Sequence, residues 1–134
     1  MDYIAVSVKT KEPYSVIIGE GLLHSCGELI SASTPPCRAA RISDETVMGL
    51  YGFGVKTSLE AAGFSVHPFA FEAGEKSKTP ETLIEILDFL ASSGFDRGDL
   101  VVALGGGVVG DTAGFASAIY MRGMKLVQMP TSLL

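Results

Sequence analysis

The chain has 134 residues, 47% of them hydrophobic and 19% charged, which gives one folded domain and excludes both a disordered chain and a stapled mini-protein. Ten Lys and Arg against fifteen Asp and Glu leave a formal charge of -5, the wrong sign for a polyanionic partner, so no nucleic acid and no anionic membrane surface is expected. The longest apolar runs, such as Leu100 to Leu104, fall far short of the roughly 20 residues that cross a bilayer, and Met1-Asp2-Tyr3-Ile4 lacks the basic start of a secretion signal. A cytoplasmic location is the expectation. Cys26 and Cys37 are too few for a disulfide framework or a zinc knuckle.

In chain order, Tyr3 to Lys9 and Tyr14 to Ile18 read as two strands, separated by Thr10-Lys11-Glu12-Pro13. Gly21 to Ile30 reads as a short amphipathic helix, and the prolines of Ser31 to Pro36 make a loop. A strand is expected over Arg38 to Ile42. A helix then opens at Ser43-Asp44-Glu45-Thr46, with Val47, Leu50, Tyr51, Val55 and Leu59 at helical spacing and Gly63 as its stop. Phe64 to Phe71 is the next strand. Thr79 and Pro80 supply the cap and first residue of a helix carrying Leu83, Ile84, Leu87 and Leu90, closed by Gly94. The fully apolar Leu100 to Leu104 suits a strand covered on both faces. A small-residue helix is expected from about Asp111 to Tyr120, and a last strand over Lys125 to Met129, after which Pro130-Thr131-Ser132 begins another element. Strands alternating with helices imply βαβ units, hence a doubly wound, mostly parallel α/β sheet with an N-terminal strand pair and no internal domain boundary. Leu133-Leu134 ends an apolar segment where a terminus is ordinarily polar, so a chain cut from a larger protein is expected.

Gly105-Gly106-Gly107-Val108-Val109-Gly110-Asp111 stands directly after the buried strand and before a helix, the context a phosphate-binding turn requires. Gly105, Gly107 and Gly110 satisfy G-x-G-x-x-G, although glycine turns serve close helix packing as well. No acid lies about 20 residues further on to hold a ribose. Asp44, at the end of an earlier strand, is placed to do so, or is a plain helix cap. Asp111 has the same two readings. In the loop Ala73 to Lys78, Glu75 suits a ribose and Lys76 or Lys78 a phosphate, or the loop is solvated surface. Arg122 is a candidate anion clamp. His24 and His67 are isolated, and neither a Ser-His-Asp set nor three metal ligands can be assembled.

Read as G-G-G-V-V-G-D-T-A-G-F-A-S-A-I-Y-M-R-G-M-K-L-V-Q-M-P-T-S-L-L, Gly105 to Leu134 resembles the cofactor-binding core of the 3-dehydroquinate synthase family. Gly74-Glu75-Lys76-Ser77-Lys78 is similar to its G-E-x-x-K motif, and Ile42-Ser43-Asp44-Glu45 to its strand-end acid. The resemblance implies a Rossmann-like domain over residues 1–134 of a phosphate-eliminating lyase of the shikimate pathway. That enzyme converts 3-deoxy-D-arabino-heptulosonate 7-phosphate to 3-dehydroquinate and phosphate, using NAD catalytically and a divalent zinc or cobalt ion. It assigns Asp44, Glu75, Lys78, Gly106, Gly107, Val108, Asp111, Thr131 and Ser132 to the NAD site. Arg122 becomes a substrate anion contact that reaches a neighbouring subunit of a homodimer. Many members carry Thr where Ser132 stands, a change that keeps the hydroxyl. In the family an Asp-Ser-Ser-x-Gly-Gly-Lys segment and a helical domain with the metal-holding Glu and two His come after the final Leu-Leu, and residues 1–134 contain none of these. This stretch alone is therefore expected to bind nucleotide weakly and not to turn over substrate. The alternatives are another sugar phosphate cyclase, a metal-dependent polyol or alcohol dehydrogenase, and a non-catalytic nucleotide-binding module.

Overall fold

The structure is a computed structural model and describes residues 2–132. The apolar run that has no polar residue to offer water lies at its centre. Strand β5 (Leu100–Gly105) is buried along its whole length. Parallel to it run β3 (Arg38–Asp44) on one side and β6 (Lys125–Pro130) on the other, with β4 (Ser65–Phe71) outside β3, in the order β4-β3-β5-β6. Asp44 lies beside Phe71, Ser43 beside Leu104 and Gly105 beside Pro130, so the four carboxyl ends form one edge.

Residues of the central strands alternate between two apolar layers. Ala39, Leu100, Val102 and Leu104 pack with Cys26 and Ile30 of α1 (Cys26–Ser31) and Val55 and Leu59 of α2 (Glu45–Ala61). On the other face, Ala40, Ile42, Val101 and Ala103 pack with Ile86 and Leu90 of α3 (Pro80–Ser92) and Val109, Ala113 and Ala116 of α4 (Gly107–Ile119). Complete burial of a Leu, Ile or Val side chain stabilises by about 1.5–3 kcal/mol, so these layers hold the helices more than propensity does. The expected doubly wound sheet is what the chain forms. It steps outward from β3 to β4 and then crosses back to β5, so the winding reverses between β3 and β5.

Local chemistry sets several boundaries. Thr79 Oγ1 accepts from the Thr82 amide at 3.2 Å with Pro80 as first helical residue, and Gly94 ends α3 at φ 73°. Three expectations are corrected. The segment Gly21 to Ile30 divides into a 3-10 turn (Leu22–Ser25) and α1, since the chain bends at Ser25 to lay Gly27 on α2. A Cβ on Gly27 would stand 2.0 Å from the Ser58 carbonyl oxygen. Helix α4 begins at Gly107, four residues before the expected Asp111, because Val109 is already buried under the end of β5 and Gly110 lies against Gln128. Leu50 and Tyr51 of α2 are exposed, since that helix rests on the sheet through Gly52, Val55 and Leu59, where the buried Arg41 Nη1 donates to the Gly52 carbonyl.

The strand pair β1 (Tyr3–Val8) and β2 (Tyr14–Gly19) forms a separate antiparallel ribbon. Leu133 and Leu134, the apolar end noted in the sequence, lie outside the described residues.

Candidate functional site

Asp44, Glu75, Lys78, Gly106, Gly107, Val108, Asp111, Thr131 and Ser132 all lie at or beside the carboxyl edge of the sheet, in the last residues of β3 and in the segments after β4, β5 and β6. The edge between β3 and β5 is where the winding reverses, and a crevice opens there in sheets of this kind.

The glycine turn divides its work. A Cβ on Gly105 would come within 2.6 Å of Val109 Cγ2, and one on Gly110 within 3.0 Å of Gln128 Oε1, so these two glycines permit close packing. A Cβ on Gly106 would come 3.0 Å from Ser132 Oγ, which places Ser132 against the turn, and the Thr131 amide donates to the Gly105 carbonyl at 3.1 Å. Gly107 faces open space, with no atom within 4 Å of a Cβ built there. The Gly110 amide donates to the Gly106 carbonyl at 3.0 Å. Ahead of it, the amides of Gly107, Val108 and Val109 have no intrahelical acceptor, and no side chain of the described residues caps them. Unpaired donors, the positive end of a 13-residue helix and vacant space before Gly107 suit an anionic group such as a pyrophosphate. Packing is thus the work of Gly105 and Gly110, while the open space at Gly107 is compatible with the approach of a ligand.

Asp44 caps α2 by accepting from the Val47 amide through Oδ1 at 2.7 Å. Among the described residues no bond occupies its second oxygen, Oδ2, so capping and contact with a hydroxyl are compatible. Asp111 is not a cap, since it stands in the second turn of α4. Instead its Oδ2 accepts from Lys78 Nζ at 2.8 Å, joining two candidates separated by 33 residues. The hydrogen-bonded Asp111 carboxylate, with its charge and that of Glu75, holds the Lys78 ammonium above the ordinary lysine range. Glu75 sits exposed in a 3-10 turn (Glu75–Ser77), anchored by the buried Ser77, whose hydroxyl donates to the Glu72 carbonyl. Lys76 turns away to pair with Glu72 at 2.7 Å.

Arg122 is not brought to this edge. It comes after α4 at the amino edge of the sheet, about 20 Å of helix from the glycine turn, in left-handed backbone with Met121 (φ 66° and 49°). Sequence reasoning missed Gln128 and Ser43. Gln128 Nε2 donates to the Gly110 carbonyl at 3.1 Å, and Ser43 Oγ donates to the Leu104 carbonyl at 2.6 Å across the crevice floor. A polar residue inside each apolar strand run was the signal. Among the described residues no three His, Cys, Asp or Glu converge as metal ligands.

A parallel sheet covered by helices on both faces, with its switch point between β3 and β5, defines a doubly wound α/β domain. Within that class, the family described as 3-dehydroquinate synthase N-terminal matches residues 68–134, half of the chain, and the chain belongs to that family. It is 48% identical over 121 residues to the 3-dehydroquinate synthase of Streptococcus sanguinis (strain SK36), a match covering 90% of this chain and 34% of the relative. The crystal structure of 2-deoxy-scyllo-inosose synthase complexed with carbaglucose-6-phosphate, NAD+ and Co2+ superposes with a TM-score of 0.84 at 25% identity, covering 96% of this chain and 35% of that one. The 2-epi-5-epi-valiolone synthase ValA from Streptomyces hygroscopicus subsp. jinggangensis 5008, with NAD+ and Zn2+ bound, gives 0.79 at 32% identity over 96% and 35% of the two chains. The chain spans about a third of the length of the curated relatives it matches.

Proposed function

We propose that this chain is the NAD-binding portion of a 3-dehydroquinate synthase, a cytoplasmic enzyme converting 3-deoxy-D-arabino-heptulosonate 7-phosphate to 3-dehydroquinate and phosphate. The observation that carries the reading is the uncapped start of α4 facing open space at Gly107, in a chain 48% identical to a protein of that name. NAD, when bound, supplies reversible oxidation of a substrate alcohol, which acidifies the adjacent C–H and lets phosphate leave.

The chain's own residues bind and orient. The amides of Gly107, Val108 and Val109 take the pyrophosphate, and Gly106 lets it approach the backbone. Asp44 accepts from a ribose hydroxyl through its second oxygen, and Glu75 from another. Lys78 neutralises anionic charge beside the turn while Asp111 fixes its ammonium. Thr131 and Ser132 close the crevice on the β6 side. Arg122, exposed and at the opposite edge, serves the substrate anion of a neighbouring subunit in a homodimer rather than its own crevice. The metal of such an enzyme would draw its ligands from outside this chain's described residues, so no step is assigned to it.

The test is a chimera in which residues 1–134 replace the matching third of the Streptococcus sanguinis enzyme. Phosphate release from the heptulosonate phosphate, dependent on added NAD and absent from the 134-residue chain alone, is the expected result. A chimera that folds, binds NAD and releases no phosphate overturns the assignment. Net NADH formation from a simple polyol would favour a dehydrogenase instead.

A further inference from the structure

Side-chain bonds tie β3 to the β5 segment at both ends of the pair. At the start, Arg38 Nη2 pairs with Asp99 Oδ2 at 3.0 Å, one residue before β5. At the end, Ser43 Oγ donates to the Leu104 carbonyl at 2.6 Å, joining residues 61 positions apart. Ser43 and Leu104 are both 0% exposed, so this hydroxyl lies beyond the reach of water or of a ligand. The register of the two strands stops at the same place. Ser43 beside Leu104 is the last pair, after which β3 gives Asp44 and turns into α2, while β5 gives Gly105 and turns towards α4. The other buried polar side chain of β3, Arg41, bonds to the Gly52 carbonyl of α2 instead.

A hydroxyl buried beside an apolar layer demands a partner that an alanine there would not need. The place of the bond gives it a use. Directly after Ser43 comes Asp44, the acceptor proposed for a ribose, and directly after Leu104 comes the glycine turn proposed for the pyrophosphate. These two subsites stand on neighbouring strands, roughly 4.8 Å apart. Among the described residues no registered pair of β3 with β5 lies beyond Ser43 and Leu104 to hold them at that spacing. A dinucleotide that touches both gains fully from the second contact only when their separation is already right.

We propose that Ser43 is a positioning residue for the nucleotide: its hydroxyl holds the end of β3 against the end of β5 and so sets the distance between Asp44 and the glycine turn. Ser43 touches no ligand itself. The inference deepens the NAD reading above and rests on it, making affinity for the whole cofactor depend on a bond that neither half of the cofactor contacts. Loss of the hydroxyl leaves each subsite its own groups, Asp44 Oδ2 on one strand and the amides of Gly107, Val108 and Val109 after the other. The strand ends are then free to part. A ligand confined to one subsite is unaffected, whereas a ligand spanning both must draw the strands together and binds more weakly.

Calorimetric titration of the chimera with NAD, and with adenosine and inorganic pyrophosphate in competition with NAD, tests it, circular dichroism confirming that each variant is folded. Ser43→Ala should raise the Kd for NAD at least ~10-fold and leave those for adenosine and pyrophosphate within about 2-fold of wild type. Ser43→Thr, which keeps the hydroxyl on a side chain suited to a strand, should bring NAD back to within about 3-fold. Asp99→Ala, which breaks the tie at the far end of the same strands, should change none of the three. Should Ser43→Ala not fold, Ser43→Cys, close in size and a weaker donor, must show the same selective loss. Unchanged NAD affinity in the folded variant, an equal weakening of all three probes, or failure of Ser43→Thr to recover overturns the positioning role and leaves the NAD site standing. A wild-type chimera that binds no NAD overturns both.

Discussion

The two edges of the parallel sheet carry opposite designs. At the amino edge Asp99, 7% exposed, accepts from the Arg38 amide, the Asp96 amide and Arg38 Nη2 at 3.0 to 3.3 Å. The same guanidinium donates to the Ser93 and Gly94 carbonyls and stacks 4.8 Å over the Phe95 ring. Charge there is spent internally, tying the start of β3 to the turn before β5. At the carboxyl edge, among the described residues, the first amides of α4 have no acceptor, Asp44 keeps an oxygen free and the two ion pairs, Lys78 with Asp111 and Lys76 with Glu72, are exposed. Satisfied groups hold a fold together, and unpaired ones at an open edge are available to a ligand. The same strands therefore end in closed structure on one side and, on the reading proposed above, in a binding site on the other.

That contrast can be broken experimentally. The largest effect is expected from Asp99→Ala, which strands a partly buried guanidinium and two amides. Stability in urea should fall by about 2–3 kcal/mol, less than for a fully buried pair because Arg38 is one-third exposed. NAD affinity in the chimera should not change beyond the loss of folded protein. Gly107→Ala should do the reverse. With negative φ and open space around it, the new methyl leaves stability equal or higher by up to about 1 kcal/mol, yet it fills the space proposed for the pyrophosphate and should cost at least ~10-fold in NAD binding by calorimetry. Unchanged affinity would remove the glycine turn from the site.

Smaller effects sharpen the picture. Lys78→Met should weaken NAD binding several-fold and lower the melting temperature of the free chain only slightly at neutral pH, because the pair is exposed. Because the folded-state pKa of Lys78 is raised, the pair's contribution is complete below the ordinary lysine value of about 10.4 and disappears only as pH rises through the folded value. Wild type and variant should therefore differ in pH dependence only on that alkaline limb. The least effect concerns the thiols. Burial pushes Cys26 up, and burial together with the Asp99 charge pushes Cys37 up, so both should alkylate slowly near neutral pH, with half-buried Cys37 the faster. Asp99→Asn should speed Cys37 alone. Rapid labelling of Cys26 in folded protein would contradict the packing of α1 on α2.

Much of the fold was legible because its signals are local. Thr79-Pro80 announces a helix start through one side-chain bond and one fixed φ, and the run Leu100 to Leu104 leaves water no polar group to contact on either face. The glycine turn was legible for the same reason, as was its place between strand and helix. Its start was misjudged. Glycines lower helix propensity, and nothing local says that Val109 is buried under β5 or that Gln128, 18 residues on, grips the Gly110 carbonyl. The pairing of Lys78 with Asp111 was equally invisible, because it depends on α3 and α4 packing side by side.

By itself, then, the sequence determined the order and type of the elements, the family, and which residues were candidates, since capping, alternation and glycine turns act within a few residues. Tertiary structure alone decided which edge those candidates share. It separated the packing glycines, Gly105 and Gly110, from Gly107, which faces open space, and set Arg122 at the far edge from the crevice. It also exposed Leu50 and Tyr51 despite their helical spacing. These are outcomes of three-dimensional packing, in which burial and contact depend on residues tens of positions away, and no periodicity in the chain encodes them.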